Sequence, residues 1–192
     1  METFVVLFLL ASVNWPGFRG PNASGVADAS KLPVRVGREE NVVWKTALPA
    51  GHSSPALTAD RIFLTGSEGD KLITFSLDRE TGKILWRREV TRNHSIKLRV
   101  RNTPASPTPV TDGKNVYAFF DEFGLVAYGP DGEERWRHPL GPFIAPYGMA
   151  ASPLLVDGKI VLLCDQDTGS FLLAVDGLSG KQVWKVERSE YL

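Results

Sequence analysis

The side chains that could carry acid–base or nucleophilic chemistry are few and far apart. The three histidines are His52, His94 and His138, and each lies more than forty residues from the next. None has a recognisable Asp and nucleophile beside it in the pattern of a catalytic triad. They are therefore interpreted as ordinary loop or core histidines, and the sequence predicts no catalytic residue.

The candidates for a metal site are equally sparse. Cys164 is the only cysteine and ends the apolar run 160–164, which favours a small buried hydrophobe and allows no disulfide or thiolate cluster. Asp165 and Asp167 flank Gln166 and could offer oxygen atoms to a hard cation, but Ca²⁺ takes about 6–8 oxygen ligands. A polar turn is favoured, and no metal site is predicted.

A basic stretch offers the best candidate for ligand binding. Six cations lie between Arg87 and Arg101, and four of them fall on residues 91–103, which we expect to be a long connection between blades. Tyr147 lies on the next connection, residues 141–149. His94, Arg99, Arg101 and Tyr147 would form a basic, aromatic-edged pocket if these connections converge on one face. An anionic small molecule or an acidic peptide of an unknown protein would fit it. The alternative is a solvated edge with Tyr147 as a packing residue.

Composition narrows the classes of partner. Lys plus Arg and Asp plus Glu both number 22 in 192 residues, so bulk charge gives no reason to expect nucleic acid or anionic membrane as a partner. Residues 4–11 are apolar but too few to span a bilayer, and we interpret 1–13 as a leader for export to the periplasm or beyond. No cysteine follows to accept a lipid.

Residues 14–40 are expected to be irregular, without helix at 14–22, and held against a surface of the protein by Trp15 and Phe18.

The rest of the chain repeats with a period of about fifty residues. Gly precedes Trp by four positions at Gly82–Trp86, Gly132–Trp136 and Gly180–Trp184. Upstream lie the pairs Ser54-Pro55, Ser106-Pro107 and Ser152-Pro153. Each unit predicts four short strands, and such a repeat favours the blades of an all-β propeller with almost no helix.

The predicted strands of the first two units are about 54–57, 61–65, 71–77 and 83–89, then 105–110, 115–121, 124–128 and 134–139. The third unit runs similarly over 151–186. Between strands two and three of the first unit, residues 66–70 are expected to form a turn. Residues 41–48, with Trp44 in the position of Trp86, are interpreted as an orphan outer strand without the three strands that should precede it.

These motifs resemble the PQQ-like (pyrroloquinoline quinone) β-propeller repeat of quinoprotein dehydrogenases and of the outer-membrane barrel-assembly lipoprotein, over residues 41–192. Residues 15–22, 52–55, 105–113 and 164–167 are similar to secreted bacterial PQQ-binding-like propeller proteins. The resemblance implies a docking role between blades for the tryptophans, which are Trp44, Trp86, Trp136 and Trp184. Because such rings have seven or eight blades, three blades and an orphan strand imply a fragment.

The resemblance leaves three functions open. Quinoprotein alcohol dehydrogenases use an adjacent cysteine pair, a Ca²⁺ ion held by carboxylates and an Asp base, and the lone Cys164 excludes that pair. We therefore expect a non-catalytic exported scaffold that binds a ligand or a protein, without a cofactor. The alternatives are a degenerate oxidoreductase that uses PQQ with calcium, and the sensor domain of a larger receptor.

Overall fold

The computed structural model describes residues 14–27, 33–95 and 102–189, and within them the chain is almost entirely β. The first sheet contains β1 (Ala56–Leu57), β2 (Arg61–Glu68), β3 (Lys71–Asp78) and β4 (Ile84–Thr91). The second contains β5 (Val110–Thr111), β6 (Val116–Phe120), β7 (Gly124–Tyr128) and β8 (Glu134–Pro139). The third contains β9 (Leu154–Val156), β10 (Lys159–Cys164), β11 (Phe171–Asp176) and β12 (Gln182–Glu187). The prediction of three four-stranded antiparallel blades is confirmed.

Each sheet is an antiparallel meander in which sequence neighbours pair. The fourth strand of each sheet contains a β-bulge, because the residue immediately before its tryptophan has no partner on the third strand. These residues are Leu85, Arg135 and Val183. The bulge lets the Gly turn precede the fourth strand while each Trp still lies opposite a small residue: Ser76, Ala127 and Ala174.

The sheets stack face to face. Alternate side chains of a strand point to opposite faces, so the apolar side chains on facing sides of two sheets pack together. The first and second sheets bury Phe63, Leu72 and Trp86 against Val116 and Phe120. The second and third bury a separate cluster that includes Tyr117, Phe119, Leu125, Ile160, Leu162 and Leu173. The second sheet thus has a hydrophobic core on each side.

Two details of the strands differ from the sequence-based expectation. The turn predicted at 66–70 contains only Gly69 and Asp70, since β2 continues to Glu68 and pairs there with Lys71. In the second unit, Thr108-Pro109 rather than Ser106-Pro107 leads into the first strand, just as Ser54-Pro55 does in the first unit. The Ser106 hydroxyl instead accepts a hydrogen bond from Thr103 N, 3.1 Å away, in the preceding turn.

The orphan strand predicted at 41–48 is also a correction, because these residues pair with no strand among the described residues. A fourth strand needs a third strand beside it, and 41–48 have none. Trp44 and Leu48 nevertheless pack against the outer face of the first sheet. The expectation of no helix at 14–22 is corrected at its end, where Pro21–Ala23 form one 3₁₀ turn in which Asn22 has φ 54°.

Candidate functional site

Each of the first three tryptophans in the repeat series donates a hydrogen bond to the sheet that follows it in the chain. The acceptors are backbone carbonyls in the turn before the last strand of that sheet. The bonds are Trp44 Nε1 to Arg79 O at 3.1 Å, Trp86 Nε1 to Pro130 O at 2.9 Å, and Trp136 Nε1 to Gly177 O at 2.8 Å. Trp44 makes this contact without belonging to a strand.

The indole rings lie against the repeated glycines. A Cβ atom built on Gly82, Gly132 or Gly180 would come within 2.3, 2.9 and 2.5 Å of a ring atom of the tryptophan that contacts it. All three glycines also have positive φ, at 70°, 76° and 67°. Glycine is needed at these positions twice over, for the turn and for the close approach of the ring.

A second donor accompanies each tryptophan, two residues further along. Thr46 Oγ1, Arg88 Nε and His138 Nδ1 lie 2.6, 2.5 and 2.9 Å from the carbonyl oxygens of Gly82, Gly132 and Gly180 respectively. Since a carbonyl only accepts, His138 donates from Nδ1. Sequence reasoning missed this pair, although a hydrogen-bond donor lies two positions after three of the four tryptophans. Val186 occupies that position after Trp184, which is half-buried.

The connections between sheets meet at the turn between β6 and β7. Arg92, just after β4, forms an ion pair with Glu122, with Nη1 2.7 Å from Oε2. Asp121 Oδ2 accepts a hydrogen bond of 3.2 Å from Met149 N in the next connection. Both carboxylates are 1% exposed. We call this turn, together with residues 92–95, 102–109 and 140–153, the connection face.

His94 is held inside this face. Its Nε2 lies 2.9 Å from the backbone oxygen of Asp121, and its Nδ1 contacts the side-chain oxygen of Asn93. A Cβ on Gly141 would lie 2.6 Å from the imidazole, so the second connection passes directly against the ring. Both ring nitrogens thus have partners within the chain, which positions His94 to fix the first connection.

The two connections are also joined directly, because Asn102 Nδ2 donates to Tyr147 O over 2.6 Å. The Tyr147 side chain is 63% exposed, and Ile144 nearby is 56% exposed. No hydrogen bond joins His94 to the Tyr147 ring in the part of the chain that the structure describes. Arg99 and Arg101, the other two residues of the predicted pocket, lie outside the described residues.

Burial of Asp121 has an electrostatic consequence. Desolvation raises the pKa of its carboxyl group from the ordinary value of 3.8 to about 6, and the neighbouring charge of Glu122 adds to the increase. The hydrogen bond from Met149 and the charge of Arg92 act in the opposite direction. No partner for Asp121 Oδ1 is found among the described residues. A buried carboxyl with a shifted pKa is a feature that functional sites often share.

The remaining chemical candidates have packing or surface environments. Cys164 is fully buried in the cluster between the second and third sheets, and burial raises the pKa of its thiol to about 12. Asp165 pairs with Arg188 at 2.8 Å. The Gln166 side chain donates to Gly169 O in its own loop and accepts a hydrogen bond from Ile144 N in the connection before β9. His52 is exposed.

None of these described side chains is arranged to hold a quinone with calcium. In residues 14–27, 33–95 and 102–189, no group of three or more His, Cys, Asp or Glu side chains could hold a metal ion. The thiol of Cys164 faces a packed hydrophobic cluster, and the sequence has no second cysteine. The oxygen atoms of Asp165 already belong to an ion pair.

Comparison with known proteins places the chain among propellers of this type. The sequence model of a family described as outer membrane protein assembly factor BamB matches residues 37–145 and 76–192. The chain is 26% identical over 136 residues to the protein of that name from Kangiella koreensis, and it covers 32% of that protein. It is 25% identical over 187 residues to a polyvinylalcohol dehydrogenase from Sphingopyxis sp., and it covers 26% of it. The chain therefore spans about a third or less of these relatives, using 70% and 88% of its own length.

Solved structures support the same fold. A europium-containing methanol dehydrogenase superimposes with a TM-score of 0.58 at 14% identity, over 75% of this chain and 26% of that one. BamB from Moraxella catarrhalis gives a TM-score of 0.51 at 20% identity, over 75% and 38%. Both likenesses support the fold alone. In the described ranges, no helix is long and apolar enough to cross a membrane.

Proposed function

The chain belongs to the family described as outer membrane protein assembly factor BamB, and from that premise we propose that it is a non-catalytic, exported propeller scaffold. Its connection face would recognise an acidic segment of a protein partner. The observation that carries the proposal is the fixing of two long connections to one turn by side chains. Arg92 and His94 attach the first connection to this turn through their side chains, and the backbone amide of Met149 attaches the second by donating to the Asp121 carboxylate. Asn102 joins the two connections to each other by donating to Tyr147 O.

Such fixing favours recognition, because ordering a loop before binding reduces the entropic cost of association. The exposed Tyr147 and Ile144 add apolar surface to the second connection. Aromatic and Arg side chains are enriched in protein interfaces. In this proposal Arg99 and Arg101 supply positive charge, Tyr147 supplies a contact ring, and His94 holds the first connection in place.

The tryptophans have a separate role in the same proposal. Trp86 and Trp136 dock successive sheets and keep the scaffold rigid, since each combines a buried ring with one directed hydrogen bond. The half-buried Trp44 makes the same bond to the first sheet from the irregular segment before it. Trp184 presents the same side chain on the far face of the third sheet.

Charge reversal tests the connection face. The Arg99→Glu, Arg101→Glu double variant should lose most of its affinity for a hexaglutamate peptide measured at low salt, while its Tm stays near that of the parent. The Arg35→Glu, Arg38→Glu variant is the matched control, because both arginines are exposed and the net charge changes equally. Equal losses in the two variants would show bulk electrostatics and contradict the proposal.

A degenerate oxidoreductase is the competing proposal. The likeness to polyvinylalcohol dehydrogenase over 88% of the chain supports it, and the burial of Cys164 opposes it. Addition of PQQ and Ca²⁺ to the purified protein decides between them. We expect no quinone absorption and no dye-linked dehydrogenase activity, whereas both signals together would favour the enzyme.

A further inference from the structure

The first strands of the three sheets, β1, β5 and β9, present equivalent residues on their outer edges. Leu57, Thr111 and Leu155 pair with Ile62, Val116 and Ile160 respectively, one position before the turn to the second strand. In the third sheet that turn is Asp157-Gly158, with φ values of 47° and 72°, and Val156 lies opposite Lys159. A two-residue turn of this kind makes its flanking residues the hydrogen-bonded pair. By alternation, Leu155 directs its N–H and C=O away from β10.

The chain covers the first two of these edges itself. Trp15 and Leu57 exchange two backbone hydrogen bonds, of 3.0 and 2.7 Å. Thr111 N then donates to Pro16 O over 2.8 Å, so consecutive residues of one extended segment cover consecutive sheets. The segment turns back at Gly17, whose carbonyl accepts from Gly20 N. No described residue provides a partner for Leu155 N–H.

A groove of about 370 Å³ lies beside this third edge. Apolar side chains dominate its lining, and no charged residue contributes to it; the main contributors are Pro16, Phe18, Val110, Pro153, Leu154 and Val156. Leu154 and Val156 are 49% and 50% exposed. The groove therefore joins a row of apolar side chains to an unpaired backbone edge.

We propose that this groove docks an extended, uncharged segment of a partner polypeptide, which adds to the free edge of β9. A carbonyl of the segment accepts from Leu155 N–H, one of its amides donates to Leu155 C=O, and its apolar side chains fill the groove. A polypeptide is favoured over a small molecule because the chain's own Trp15 and Pro16 cover the two equivalent edges through backbone bonds. The lack of charge in the lining selects an uncharged occupant. This surface is separate from the connection face, so the two proposals can fail independently.

The probe is the peptide acetyl-Gly-Val-Thr-Val-Gly-amide, added to the full chain labelled with ¹⁵N-leucine. We expect the Leu155 amide signal to shift on titration and its hydrogen exchange to slow several-fold. N-methylation of the central Thr removes a donor and should weaken binding at least tenfold. Leu154→Lys or Val156→Lys should weaken it similarly, since each places a charge in the groove. Val183→Lys is the matched control, because Val183 is 48% exposed on β12 and does not line the groove.

Several results would overturn the proposal. One is the absence of a Leu155 shift at about 1 mM peptide, a concentration well above the Kd expected of a specific interaction. Another is a shift with indole but not with the peptide, which would make the groove a small-molecule pocket. A shift that grows with protein concentration alone would mean that a second copy of the chain is the occupant.

Discussion

The second and third sheets have the same repeat but different surroundings. Every residue of β6 and β7 is buried, because the second sheet is packed between two others. In the third sheet, Ile160, Leu162 and Cys164 are buried against the second sheet, while the alternate residues of β10 face outward and Leu163 is 36% exposed. One sequence pattern thus supplies a core on two sides of one sheet and on one side of the other.

The comparison shows that the repeat specifies a docking face independently of what covers it. The pair Ala127–Trp136 on the second sheet contacts the third sheet, and the pair Ala174–Trp184 occupies the same position on the third sheet. Trp136 is 8% exposed and bonds to Gly177, whereas Trp184 is only half-buried. The energetic contribution of each tryptophan should therefore depend on its neighbour.

The largest expected effect is the loss of a covered tryptophan. Trp136→Ala should lower the free energy of unfolding by about 3–5 kcal/mol, because it removes a buried indole and its hydrogen bond between sheets. Trp184→Ala is the matched variant in the same position of the third sheet, and it should cost well under half as much. Thermal or urea unfolding of both variants measures the difference. Equal losses would mean that the two faces are equivalently covered.

Asp121 provides a second difference, since burial in the second sheet raises the pKa of its carboxyl from 3.8 to about 6. A raised folded-state pKa gives stability that is complete below pH 3.8 and is lost as pH rises through 6. The loss approaches about 3 kcal/mol for a shift of roughly two units. Asp121→Asn cannot ionise, so its stability relative to the parent should increase by that order between pH 4 and pH 8.

Asp112→Asn is the control for this pH dependence. Burial tends to raise the pKa of Asp112, but hydrogen bonds from Asn115, Lys114 and Tyr117 outweigh it and lower the pKa. Its contribution is therefore present above the ordinary pKa and is lost on acidification. The Asp112→Asn deficit should shrink toward low pH, because the parent loses that contribution there. If Asp121→Asn shows no pH dependence relative to the parent, the carboxyl is not buried as described.

The contrast between the sheets also explains what could be predicted from the sequence. The strands were predictable because alternation of apolar residues, Asp-Gly turns and the Gly-to-Trp spacing are local signals. The docking of Trp86 and Arg88 on one turn of the next sheet was not predictable. Their hydrogen bonds to Pro130 O and Gly132 O each join residues forty-four positions apart.

The connection face shows the same limit. A long connection carrying His94 was predictable, but its attachment to Asp121 depends on where the next sheet places its β6–β7 turn. Nothing in the local sequence Asp121-Glu122 distinguishes a buried pair of carboxylates from an exposed turn. Likewise, Ser106-Pro107 and Thr108-Pro109 have similar local chemistry, and only pairing with β6 selects the second as the entry to β5.

A smaller effect tests the glycine contact between the second and third sheets. Gly180→Ala introduces a Cβ that would lie 2.5 Å from the Trp136 ring, whereas Gly158→Ala meets nothing within 4 Å. Both glycines have similar positive φ, at 67° and 72°, so the backbone strain is shared. Gly180→Ala should therefore be less stable than Gly158→Ala by about 1–3 kcal/mol, the cost of overpacking. Equal unfolding midpoints for the two variants would show that the ring does not rest on Gly180.

The smallest effect is expected at the loop of the third sheet that corresponds to the β6–β7 turn. Asp165 and Arg188 form an ion pair of 2.8 Å there, but their side chains are 50% and 44% exposed, in contrast to the buried Glu122 that pairs with Arg92. Exposed pairs gain little because water screens both charges, so Asp165→Asn should change the free energy of unfolding by less than about 1 kcal/mol. Glu122→Gln should cost about 2–4 kcal/mol, because the Arg92 guanidinium, on a side chain that is only 25% exposed, loses its charged partner. Urea unfolding at pH 7 compares the two variants directly, and similar losses would show that the two loops do not differ in solvent access.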